Sequence, residues 1–237
     1  MHERHETRRE FLHGVGTVAA LTALAGCSSS GSTKETVPAD KKEIDVSPSE
    51  DLMREHGVLN RILLVYEETI RRIEASEDPK LDSLGRASGI VRRFVEEYHE
   101  KLEEEQLFPR FEKAGKLVEL VKTLRAQHAA GRRLTEETIR VAKGGALTAP
   151  ADRDGLVKSL RLFVRMYRPH ESREDTVLFP AFRELVTPKE WDVLGDQFED
   201  REHALFGARG FEDMVDEVAA IEKTLGIDDL AKFTPPA

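Results

Sequence analysis

One run of side chains occurs twice in this chain. His99-Glu100, Glu103, Leu107-Phe108-Pro109 and Phe111 return as His170-Glu171, Glu174, Leu178-Phe179-Pro180 and Phe182, every one displaced along the chain by the same offset. A His and a Glu four positions apart lie on one face of a helix, about one turn from each other. Two such helices can therefore aim two imidazoles and two carboxylates into one interior, the construction used by di-iron and di-manganese carboxylate bundles.

The surrounding sequence supplies helices of the right length. Apolar residues recur at helical spacing in four stretches. The first helix is expected over about 49–75, with Leu52, Leu59, Ile62, Leu63, Tyr66, Ile70 and Ile73 inward; the second over 81–108 or slightly beyond, with Leu84, Ile90, Val91, Phe94, Val95 and Leu102. The third is expected over 116–143, with Leu117, Leu120, Val121, Leu124, Leu134 and Ile139 on its inner side, and the fourth from 151 to near 186. Pro169 should kink the fourth just before His170, and the Leu-Phe-Pro pairs suggest packing and helix termination. A single further helix is expected from Thr187-Pro188 to about Leu225, then a loose tail, 226–237. The fold class is all-α: an up-down-up-down four-helix bundle with an additional C-terminal helix.

With short loops, residues at one level of such a bundle are equidistant from each connecting turn. His56 lies roughly 23 residues before the turn near 79, and the middle of the His99/Glu103 pair roughly 22 after it. His128 is similarly matched across the turns near 115 and 148; the worst mismatch, about four residues, is only about 6 Å along a helix. His56, His99, Glu103, His128, His170 and Glu174 can thus occupy one layer. The separation of His56 from His128 matches the offset of the repeat to within one position, so the chain looks like a duplicated helix pair, each half giving one lone His and one His-x-x-x-Glu. The expected site has two histidines per metal and two bridging glutamates. Nitrogen and oxygen donors without thiolates fit iron, manganese or zinc, and bridging carboxylates favour two iron ions over manganese or zinc. Glu100 and Glu171 could be further ligands, acceptors for an imidazole N–H, or a solvated face. His203 is a further candidate ligand, if the last helix folds back over the open end. Tyr66, Tyr98 and Tyr167 read as core.

The net charge of −9 leaves no basic surplus for phosphates and argues against a nucleic-acid partner. Cys27 is the sole cysteine, which excludes an internal disulfide and thiolate-held zinc or iron–sulfur sites. Residues 1–27 carry Arg8-Arg9 before a short apolar run, Val15 to Ala25, ending in Leu24-Ala25-Gly26-Cys27. That run is too short for a membrane span and reads as a twin-arginine export signal. Its end resembles a lipobox, which implies lipidation at Cys27, a membrane anchor and a periplasmic or extracytoplasmic location. Residues 28–48, rich in Ser, Thr, Lys and Asp, read as a flexible tether leading to a bundle over 49–225.

Together, His56, His99-x-x-x-Glu103, His128 and His170-x-x-x-Glu174, with Leu-Phe-Pro after each pair, resemble the hemerythrin-like (HHE cation-binding) domain over about residues 50–185. The resemblance implies a four-helix bundle with a non-haem di-iron centre whose partner is a small diatomic ligand or a peroxide. Oxygen-carrying members have a second His one turn away on the third helix; here the flanking positions are Leu124 and Arg132, which weighs against reversible oxygen carriage. Three readings follow: a module that binds or responds to oxygen, nitric oxide or iron; a di-iron redox enzyme reducing peroxide or nitric oxide, or an iron donor for repair of damaged iron centres; and a bundle whose histidines bind nothing.

Overall fold

A computed structural model describes residues 46–144, 147 and 149–235. The signal segment, Cys27 and nearly all of the expected tether lie outside the described residues.

Among the described residues six α-helical runs follow one another, before a single 3-10 turn, Leu230–Phe233, in the segment expected to be a loose tail. Helix α1 is Pro48–Glu74, started by Ser47, whose hydroxyl accepts the Glu50 N–H at 3.3 Å, with Glu50 and Asp51 in the first turn. Helix α2 covers 81–114 and ends at Gly115, whose left-handed φ of 65° suits a residue without Cβ. Helix α3 is Val118–Lys143, α4 covers 150–183, α5 is Pro188–Phe206 and α6 is Gly210–Leu225. Thr187 and Glu190 form a reciprocal capping box at the start of α5. The single C-terminal helix expected from the sequence is thus a pair. Gly207, at φ 82°, turns the chain between α5 and α6 where a residue with a Cβ would be strained.

Neither α2 nor α4 is a uniform α-helix. Val91–His99 and Glu103–Leu107 in α2, and Glu174–Leu178 in α4, are π-helical. Their wider turns are closed by i→i+5 bonds: Glu100 N–H to Val95 O, Phe108 N–H to Glu103 O, and Phe179 N–H to Glu174 O. The wider turns solve a register problem. Val95, His99, Glu103, Leu107 and Phe111 are all buried at an interval of four, and a helix of 3.6 residues per turn would swing the last of them roughly 160° off the stripe. They also correct the expectation of helix termination. Pro109 and Pro180 do not end their helices; each follows directly on a π-turn, where the missing N–H and the ring are accommodated without breaking the run. Pro169 lies within the regular stretch Pro150–Arg173, and the disturbed turn falls after His170, not before it.

Helices α1 to α4 close a ring, each packed on the next and α4 on α1, while α5 and α6 lie against the outside of the ring on α1 and, for α6, α2. The fold is a four-helix bundle with two extra helices packed on it. Every inward residue expected on α1 and α2 is buried. On α3 the expected Val121, Leu124 and His128 are buried, joined by Gly131, Thr135 and Thr138; Leu117, Leu120 and Leu134 pack against the core while partly covered, and Ile139 is only half-buried. For Gly131 the reason is Tyr167 of α4: a Cβ there would come within 2.0 Å of its phenol oxygen, so a small residue lets α3 and α4 approach. Arg61 of α1 holds Glu222 of α6 through two bonds of 2.9 and 2.5 Å, and Arg72 donates to the Leu225 carbonyl at the end of α6 at 2.9 Å. No helix among the described residues is long and apolar enough to cross a membrane.

Candidate metal centre

Six buried side chains meet inside the bundle: His56 from α1, His99 and Glu103 from α2, His128 from α3, and His170 and Glu174 from α4. They form two four-residue groups, His56-His99-Glu103-Glu174 and Glu103-His128-His170-Glu174, in each of which one donor atom per residue lies within 4.8 Å of the others. Both groups contain both glutamates. Glu174 Oε2 is 3.4 Å from His56 Nε2 and 3.1 Å from His170 Nε2, and Glu103 Oε2 is 3.7 Å from His99 Nε2 and 3.4 Å from His128 Nε2. Each carboxylate therefore spans the two halves.

The outer ring nitrogens are all engaged. His56 Nδ1 donates to Asp175 at 2.7 Å, His99 Nδ1 to Glu55 at 2.7 Å, His128 Nδ1 to Glu104 at 3.1 Å and His170 Nδ1 to the Gln127 amide oxygen at 2.9 Å. Because these acceptors claim the Nδ1 protons, every ring turns Nε2 inward, the arrangement that orients imidazoles on a metal and raises their basicity. Phe179 stacks on His56 and Phe108 on His128, each with centroids 5.5 Å apart, and both phenylalanines are fully buried.

The electrostatics of the cluster call for positive charge. Burial opposes a charge on His56, but the Asp175 and Glu174 carboxylates outweigh it and raise the ring to about 10. His99 is pushed down to about 3 by burial and by the His56 charge beside it. Their Nε2 atoms are 3.1 Å apart, so one positive charge, a proton or a cation, belongs between them. Burial and the neighbouring Glu174 charge push Glu103 well up; for Glu174 burial is outweighed by His170 and His56, which hold it well below the usual carboxylate range. Both oxygens of each glutamate and His128 Nε2 are buried without a hydrogen-bond partner. Four such oxygens in an apolar core are costly unless something electropositive meets them. Two metal cations fit: nitrogen and oxygen donors, no sulfur, and two carboxylates shared between the positions.

Glu100 and Glu171, which the sequence left open, belong to neither four-residue group. Neither is a solvated face, since both are buried, and neither takes an imidazole proton. Glu100 accepts from the Tyr167 phenol at 2.7 Å and pairs with Arg132 at 2.7 Å; Glu171 accepts from Asn60, and burial pushes its carboxyl up to about 8. Glu100 also lies with Glu104 and His128 in a third group of potential ligands, but Arg132 already holds both carboxylates there, Glu104 at 2.7 Å. His203 is half-buried on α5 and lies in none of the groups of potential ligands among the described residues. Sequence reasoning missed the real imidazole acceptors, Glu55, Glu104, Gln127 and Asp175. Each follows or precedes a histidine or glutamate of the cluster directly, yet a charged neighbour is common on any helix. The informative signal was the duplication itself: Glu104 and Asp175 share the offset of the repeated His-x-x-x-Glu, and Glu55 and Gln127 share that of His56 and His128.

The model of the hemerythrin HHE cation binding domain family matches residues 47–182. The chain belongs to this family. It is accordingly a metal-binding protein, and its buried His/Glu groups are where such ions could be held. Curated relatives resemble this hemerythrin-domain chain over nearly its whole length: uncharacterized proteins of Mycobacterium bovis and of two strains of Mycobacterium tuberculosis are each 44% identical over 233 residues, 96% of this chain and 91% of theirs. No solved structure matches it.

Proposed function

We propose that this chain is a non-haem di-iron protein of the cell envelope that binds or responds to oxygen, nitric oxide or iron. His56 and His99 would hold one ion, His128 and His170 the other, with Glu103 and Glu174 shared. The observation that carries this reading is the membership of both glutamates in both four-residue groups. When bound, a di-iron pair supplies redox-active positions for a small diatomic ligand or a peroxide. The chain's own contribution is to orient the four rings through Glu55, Glu104, Gln127 and Asp175, and to keep water from the cluster with Phe108 and Phe179. Leu124 and Arg132 stand where oxygen carriers have a further histidine. Leu124 offers no donor, and Arg132 is tied to Glu100 and Glu104, which supports a reactive or responsive centre over a carrier.

The envelope location rests on Arg8-Arg9 and on Leu24-Ala25-Gly26-Cys27, with Cys27 as the lipid-bearing residue. Iron analysis of the protein reconstituted without oxygen, with its optical spectrum before and after oxygen, tests the function. About two iron per chain and an oxygen-dependent visible band are expected; less than about half an iron per chain would sink the proposal. Turnover of peroxide or nitric oxide beyond stoichiometry would move the reading to a redox enzyme.

A further inference from the structure

The duplication gives the two halves of the centre the same ligands but different charge behind them. His99 Nδ1 donates to the Glu55 carboxylate, whereas its counterpart His170 donates to the neutral Gln127 amide. Asp175 serves His56, and among the described residues no lysine or arginine pairs with it. Its counterpart Glu104 serves His128 while also accepting from Lys101 at 2.8 Å and Arg132 at 2.7 Å. One layer further out, Asn60 meets Glu171 where the other half sets Arg132 against Glu100. Asn60 and Arg132 are separated by the same offset as His56 and His128, so these are matched positions. The first two differences have one sign: the acceptors behind His56 and His99 are the more anionic.

A carboxylate acceptor draws the Nδ1 proton further from the ring than an amide does, which makes Nε2 a stronger donor toward a cation. A guanidinium near the other half disfavours added positive charge there. We propose, on the di-iron reading above, that the two ion positions are inequivalent by construction, the His56/His99 position taking iron first and holding it more tightly because Glu55 stands where the duplicated half carries Gln127. The ligand sets do not create this difference, since each half has two histidines and the same two glutamates. Glu55 and Gln127 are positioning residues that act through His99 and His170.

Anaerobic titration of the metal-free protein with ferrous iron, followed by calorimetry and by Mössbauer spectroscopy of the 57Fe-loaded protein, tests this. The wild type should load in two steps at least about tenfold apart, with one iron signal at one equivalent and a second, distinct signal at two. Glu55→Gln should weaken the first step by roughly 10–100-fold and merge the two. Gln127→Glu should strengthen the second step by a similar factor and leave the first in place. Both exchanges preserve side-chain volume, and if Glu55→Gln does not fold, an unchanged second step in Gln127→Glu overturns the proposal on its own. Two irons bound in one step with one signal in the wild type would overturn the inequivalence while leaving the di-iron reading intact. Failure of the wild type to bind iron would overturn both.

Discussion

The Nε2 atoms of His56 and His99 face each other at 3.1 Å in the interior of the bundle, although a helix reversal separates them along the chain. Two inward nitrogen lone pairs at that distance repel unless a positive charge lies between them. The Nδ1 protons cannot help, because Asp175 and Glu55 hold them on the far side of the rings. The bundle is therefore built around charge that must be supplied, and its stability should depend on that supply.

Glu103→Ala and Glu174→Ala should each lower iron content, since either substitution removes a donor from both positions at once. With iron at about a thousand times its dissociation constant, each bound ion contributes about 4 kcal/mol, so chelation of both should lower the wild-type melting temperature by about 16–30 °C. The two variants should melt below the loaded wild type and respond little to chelator. Metal analysis and calorimetry on the same samples check this; unchanged iron in both would refute the shared-carboxylate assignment.

Gly131→Ala should destabilise the bundle by about 1–3 kcal/mol through overpacking, because the new Cβ meets the Tyr167 phenol oxygen at 2.0 Å. Tyr167→Phe removes that atom but leaves the ring carbon at 2.8 Å and takes the 2.7 Å hydrogen bond from Glu100. The two changes should be non-additive, the double variant being more stable than the sum of the single losses implies. Denaturant unfolding of the four proteins measures the coupling; strict additivity would show that α3 and α4 do not meet at this point.

Thr187→Ala breaks the capping box of α5, in which Thr187 and Glu190 bond reciprocally. A loss of about 1 kcal/mol is expected, or about 2–4 °C in melting temperature. Iron content should not change, because α5 supplies none of the six central side chains. A loss of iron in this variant would mean that the outer helices shape the centre.

Cys27→Ser should release the protein from the membrane fraction without blocking export, and replacing Arg8-Arg9 by two lysines should keep it inside the cell. Fractionation of cells making each variant separates the outcomes. Membrane association that persists in Cys27→Ser would remove the lipid anchor from the proposal.

The four core helices were legible because their apolar stripes repeat at helical spacing and their loops are short, so helix length alone put four histidines and two glutamates at one level. The repeat of His-x-x-x-Glu at a fixed offset carried the symmetry of the cluster. The π-turns were not legible, although Pro109 and Pro180 marked them. A proline within a helical pattern reads as a stop unless the widened turn before it is known. The inner face of α3 was legible only in part for a related reason: Gly131, Thr135 and Thr138 carry little hydrophobic signal, and the Tyr167 ring pressed against Gly131 is a contact between helices. The break between α5 and α6 hinges on the left-handed backbone at Gly207, which a glycine permits but does not require.

By itself, then, the sequence determined which residues would gather: periodicity and helix length are local properties, and a duplicated motif needs no coordinates to be seen. Only the tertiary structure decided what stands behind each ring. The partner of a histidine Nδ1 comes from a neighbouring helix, Asp175 of α4 for His56 and Glu55 of α1 for His99, and helix rotation, set by core packing and the π-turns, chooses it. That choice sets more anionic acceptors behind one of two identical sets of ligands than behind the other.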